Sequence, residues 1–184
     1  MRGFNCNFFE AGFDIIPLIN QSDVNTDVTG DWVSLKHYTR CLLLIAKYGT
    51  EDVDTIGFQV VQASTNTGTG VKAVTALFPY WYKQAVLADQ AVWTGSRLTT
   101  ADDILGMGTS APTGGTLVAT AAAAADAFLL AIDVQATDLD VDGGFDFLTV
   151  RVEGDEVNNA LLISAWAILM GGRFPQNVPL TAVS

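Results

Sequence analysis

Leu148-Thr-Val-Arg-Val-Glu153 decides how this chain is read. Leu148, Val150 and Val152 alternate with Thr149, Arg151 and Glu153, the period of two that a strand shows when one face packs on a core and the other meets water. Downstream, a turn over Gly154 to Asn159 leads into the apolar run Ala160 to Met170, read as the last strand. Upstream, Gly143-Gly144 supplies a turn, and before it Phe128, Leu130, Ile132 and Val134 share one face of another strand that starts near Ala127. The alanine-rich stretch Ala119 to Ala127 fits a helix or a strand, since alanine favours helix but the run continues directly into an extended pattern.

The N-terminal half repeats this style. Val33 and Leu35 alternate with Ser34 and Lys36, and Cys41 to Ala46 is continuously apolar, so two strand segments are expected, the second buried on both faces. Ile56, Phe58 and Val60 oppose Gly57 and Gln59. The cluster Ser64 to Gly70 then turns the chain, and the extended pattern resumes from Val71 to Tyr82, which predicts a hairpin. Pro79 restricts pairing there to an edge or a bulge. Gly95 to Gly115 reads as loop.

About eight to ten strands with at most one short helix predict an all-β fold, an antiparallel β-sandwich or jelly roll. Residues 1–30 carry irregularly spaced aromatics and then a polar stretch, and 173–184 carry Pro175 and Pro179 without period. Both read as arms on a body formed by residues 31–172. Phe4, Phe8, Phe9 and Phe13 at one end, and Phe174, Pro175 and Pro179 at the other, are the residues expected at a partner interface.

Composition narrows the function. Charged residues are 16% of the chain and hydrophobic ones 49%, and 20 acidic against 9 basic residues leave a net charge of −11. Nucleic acid and anionic membrane surfaces both need clustered Lys and Arg, so neither is an expected partner. Mean hydropathy is +0.32, yet the longest apolar run near the C-terminus covers only 160–172, short of the roughly 20 residues a helix needs to cross a bilayer. No secretory signal is expected, because Glu10 and Asp14 interrupt the apolar N-terminal residues. Cys6 and Cys41 could pair, but reduced, packed thiols are the favoured reading.

Chemistry-bearing side chains are scarce. His37 is the single histidine, placed mid-strand in a solvent-facing phase, and Cys41 four residues on would stand about 13 Å away along an extended chain, beyond hydrogen-bond reach. One His and two distant Cys do not assemble a tetrahedral zinc site. Asp138-Leu-Asp140-Val-Asp142-Gly143, with Asp146 beyond, matches the opening of a calcium loop, but its twelfth position is Thr149 rather than Glu and its flanks read as strands. An acidic turn is the favoured reading, and no metal or cofactor is expected. Thr67-Gly-Thr-Gly70 lacks the Lys of a phosphate loop and the helix after it, and reads as a hairpin turn. Trp32, Trp81, Trp93 and Trp166, with Phe78, Tyr80 and Tyr82, could form a sugar platform, though aromatics in strands more often fill a core or a subunit interface. Asp102-Asp103 and Asp155-Glu156 are adjacent in loops rather than opposed across a cleft.

The stretches Gly30-Asp-Trp-Val-Ser-Leu-Lys-His-Tyr38, Phe58-Gln-Val-Val-Gln-Ala-Ser-Thr65, Gly68-Thr-Gly-Val-Lys-Ala-Val74 and Asp138-Leu-Asp-Val-Asp-Gly-Gly-Phe-Asp146 resemble a family of small virion proteins of tailed bacteriophages, over residues 28 to 172. The resemblance implies a non-catalytic head decoration, or cement, protein with a β-sandwich body. Such a protein is made in the host cytoplasm and resides on the capsid surface. Its partners would be the major capsid protein and copies of itself, a trimer fitting the threefold junctions of a shell. A tail or head–tail joining protein is the alternative within the particle. A carbohydrate-binding module, with or without calcium, is the alternative outside it.

Overall fold

In the computed structural model the described residues are 13–23, 27–48, 57–76, 78–84, 94–97, 105–106, 128–153 and 162–172. They form strands β1 (Asp14–Asp23), β2 (Val28–Thr29), β3 (Val33–Ser34), β4 (Arg40–Tyr48), β5 (Gly57–Ala63), β6 (Lys72–Ala73), β7 (Pro79–Gln84), β8 (Thr94–Arg97), β9 (Leu105–Gly106), β10 (Phe128–Gln135), β11 (Phe147–Glu153) and β12 (Leu162–Met170), with a 3-10 turn at Ala136–Asp138. Every pairing is antiparallel. The expected all-β, sandwich-like class is therefore what the chain adopts.

One sheet has six strands in the order β1-β12-β4-β10-β7-β8, and the second runs β2-β11-β5-β6, with β3 also on β11 and β9 on β5. The sheets share one core. Cys41, Leu43 and Ile45 of β4, Leu130, Ile132 and Val134 of β10, and Ile163, Ala165 and Ala167 of β12 meet Phe58 and Val60 of β5 and Leu148, Val150 and Val152 of β11. The period-two alternation places them there: each strand sends every second side chain inward. Burying a side chain of this size contributes about 1.5–3 kcal/mol, and this summed transfer sets against the chain's conformational entropy.

Several expectations require correction. Residues 14–23, read as part of an arm, form the edge strand β1, and Leu18 and Ile19 are buried in the core. Its pairing with β12 shifts register between Pro17 and Ile19 and again between Ile19 and Ser22. Each shift breaks the alternation, so the strand shows no clean period in sequence. His37 does not lie mid-strand: it sits exposed in a turn closed by the Tyr38 N–H donating to the Leu35 carbonyl at 3.0 Å. Pro79 does not mark an edge strand. It opens β7, opposite Arg97 of β8, one residue beyond the ladder with β10 that ends at Tyr80, so its missing N–H costs that ladder nothing. β8 and β9 fall within the stretch read as loop, because strands of four and two residues are too short to impose a visible period.

The deciding strand is only partly as expected. Leu148, Val150 and Val152 are fully buried, but so is Thr149, which pairs opposite the buried Val61. The hairpin β5–β6 is present, with Val61 opposite Ala73. Its turn needs Gly68, whose φ of 77° is left-handed and whose missing Cβ leaves room for the Trp32 indole: an added Cβ would stand 2.7 Å from Nε1. Gly30 is similar in packing. A Cβ there would meet Thr149 Oγ1 at 2.8 Å and Leu18 Cβ at 3.1 Å, where β1 closes over β11.

Candidate interaction surface

The site builds from the side of the six-stranded sheet that faces away from the core. On β4 the inward residues alternate with Leu42, Leu44 and Ala46, and on β12 with Ser164, Trp166, Ile168 and Met170; none of these belongs to the core cluster. The registers align them in rows. One crosses all six strands: Pro17, Trp166, Leu44, Ala131, Trp81, Gly95. A second joins Ile15, Ile168, Leu42 and Asp133, and a third Ser164, Ala46, Leu129 and Lys83. Leu42, Leu44, Trp166, Ile168, Trp81 and Leu129 are half-buried, and Ile15 is 43% exposed. An antiparallel sheet with one solvated face would carry polar residues at these positions. This one carries an apolar belt.

Charge on the belt is largely cancelled. Asp133, 6% exposed, accepts two hydrogen bonds from the Arg40 guanidinium, from Nε to Oδ1 and from a terminal nitrogen to Oδ2, both at 2.5 Å. This fork-on-fork pairing is what allows a carboxylate to lie among leucines. The bonds to Asp133 also hold the Arg40 pKa above its ordinary value.

Behind the belt, on the core side of β4, Cys41 is a free thiol. Burial first, then the Asp133 charge, push its pKa up to about 12, the opposite of what a nucleophilic cysteine needs. His37 sits exposed in its turn, whereas Cys41 is buried in the core.

The second feature is an open groove of about 870 Å³ at one end of the sandwich, lined by Ser34, Lys36, Thr137, Asp140, Asp142 and Asp146 among others. It contains the calcium-like segment, and its carboxylates do not converge. Asp138 turns back to accept from the Gln135 backbone N–H at 2.8 Å. Asp140 accepts from Lys72 Nζ at 2.5 Å and from the Gly143 N–H at 3.0 Å, and these two bonds lower its pKa. Its own N–H donates to Gln62 Oε1 at 2.9 Å. Among the described residues no three His, Cys, Asp or Glu side chains are grouped to hold a metal ion. Of the four carboxylates in the calcium-like pattern, Asp138 is engaged by the turn's own backbone and Asp140 by the backbone and Lys72.

The aromatic residues do not form one platform. Phe78 and Tyr80 are in the core and Tyr82 packs against it, Trp32 covers Gly68, and Trp81 and Trp166 lie on the belt. Trp93 lies outside the described residues. Of the expected interface residues, Phe13 is half-buried just before β1, while Phe4, Phe8, Phe9, Phe174, Pro175 and Pro179 lie outside the described residues, as do Cys6 and Ala119 to Ala127. What sequence reasoning missed is the belt itself. Its signal lies in the continuously apolar runs Cys41 to Ala46, read from sequence as buried on both faces, and Ala160 to Met170, read simply as the last strand. No helix among the described residues is long and apolar enough to cross a membrane.

No family model, no curated protein and no solved structure matches the chain.

Proposed function

We propose that this protein is a non-catalytic structural module of a particle, a capsid decoration protein that joins the major capsid protein lattice and stabilises the head. The observation that carries this reading is the apolar belt: an acidic chain turns a row of Trp and Leu away from the core the two sheets share. Such a face suits permanent assembly, since apolar patches beyond a few hundred Å² mark interaction sites. The poverty of reactive groups supports the same reading, as does the resemblance of residues 28 to 172 to phage virion proteins. The chain segments 1–12 and 173–184, which carry most of the expected interface residues, would reach neighbouring capsid subunits, and repeated identical contacts would add by avidity.

The test is co-sedimentation of the purified chain with expanded capsids lacking it. Binding should saturate at dozens to hundreds of copies, and deletion of residues 2–12 or 173–184 should weaken it while the β-sheet circular dichroism is kept. Saturation at about 6 or 12 copies would instead indicate a connector ring. No binding to capsids at all would end the decoration reading.

A further inference from the structure

From the rows that cross the six-stranded sheet, we infer that the apolar belt is a two-fold interface with a second copy of this chain, the two sheets packing face to face. The inference rests on the reading of this face as an assembly surface, and not on where the assembly resides. Three observations single out the occupant. First, size: six strands and a nine-residue β4 give a face about 24 Å across and about 30 Å long, a footprint of roughly 700 Å² per copy within which Ala46, Ala131, Asp133 and Ser164 are already buried. A standard stable interface buries about 800 Å² per partner.

Second, relief: along the central row the large side chains Trp166 and Leu44 are separated from Trp81 by Ala131. Ridges and troughs on one face can interlock with their own copy only through a two-fold axis, which presents the same patch to itself. Third, charge. The chain carries −11 overall, so most ways of joining two copies bring carboxylates together. On the belt Asp133 is matched by Arg40. A face whose carboxylate is already paired lets two acidic molecules approach with less repulsion, and Trp is among the residue types that most often dominate such contacts.

The experiment is sedimentation equilibrium of the full chain between about 1 and about 300 µM, with hydroxyl-radical footprinting of the same samples. The expected species has about 39 kDa, twice the 19.5 kDa chain, with Trp81 and Trp166 protected as the dimer forms. Leu44→Arg should weaken association at least about 100-fold, because it buries an unpaired charge at the centre of the row. Should that variant fail to fold, the footprint of the wild-type chain decides alone. A monomer at every concentration, a trimer, or a dimer whose two tryptophans stay reactive overturns the inference. So does a monomer with both tryptophans protected, which would mean the chain's own segments cover the face. A monomer that still coats capsids would sink the pairing and leave the decoration reading; a belt-mediated dimer that never binds capsids would do the reverse.

Discussion

Arg40 and Asp133 show how one pair of side chains makes the apolar belt tolerable. Asp133 is almost fully covered, while the Arg40 side chain is 49% exposed. The pair is therefore asymmetric: losing Asp133 returns Arg40 to water, but losing Arg40 leaves a covered carboxylate without a counter-ion. Arg40→Met should cost about 2 kcal/mol, below the 3–5 kcal/mol of a fully buried pair because solvent already screens the guanidinium. The double change Arg40→Met with Asp133→Leu should recover most of that loss. Urea unfolding of the three proteins checks it, and equal destabilisation of the single and double variants would refute the asymmetry. Neither residue stood out in sequence as a pair, since they are 93 positions apart and meet only across the β4–β10 ladder.

At the level of elements, the acidic turn after β10 is informative because its chemistry is local. Asp140 is held by Lys72 and the Gly143 N–H, so its pKa is depressed below the ordinary 3.8. A depressed carboxylate contributes stability that is fully present above its unfolded value and disappears as pH falls through the folded one. Asp140→Asn should therefore lower the melting temperature slightly at about pH 7, and the gap to wild type should narrow as pH falls below the ordinary 3.8 and close only below the depressed folded value. A gap that persists at low pH would assign the turn's stability to something other than this carboxylate. The turn was readable from Asp138 to Gly144 because turn formation depends on neighbours in sequence. β1 was not, because its two register shifts scramble the alternation that marks a strand, and its partner β12 lies some 150 residues away.

On the scale of the whole molecule, apolar contact and net charge oppose one another. If the belt joins two copies, hydrophobic burial draws them together while two charges of −11 repel. Raising salt from about 10 to about 150 mM shortens the Debye length to about 8 Å and should tighten the dimer; lowering pH towards the isoelectric point near 4.1 should act in the same direction. Sedimentation across both series tests this, and an association weakened by salt would point to ion pairs rather than the belt as its cause.

What the sequence determined unaided was the class of fold and the character of most strands. A period of two, turn clusters and scarce charge are local signals, and they act on the chain wherever it sits. Only the tertiary structure decided which of two apolar sides of β4 and β12 lies inside. A strand that is greasy on both faces reads the same in sequence whether both are covered or one is left for a partner. That distinction depends on which sheet stacks against which, and stacking is set by contacts between residues far apart in the chain.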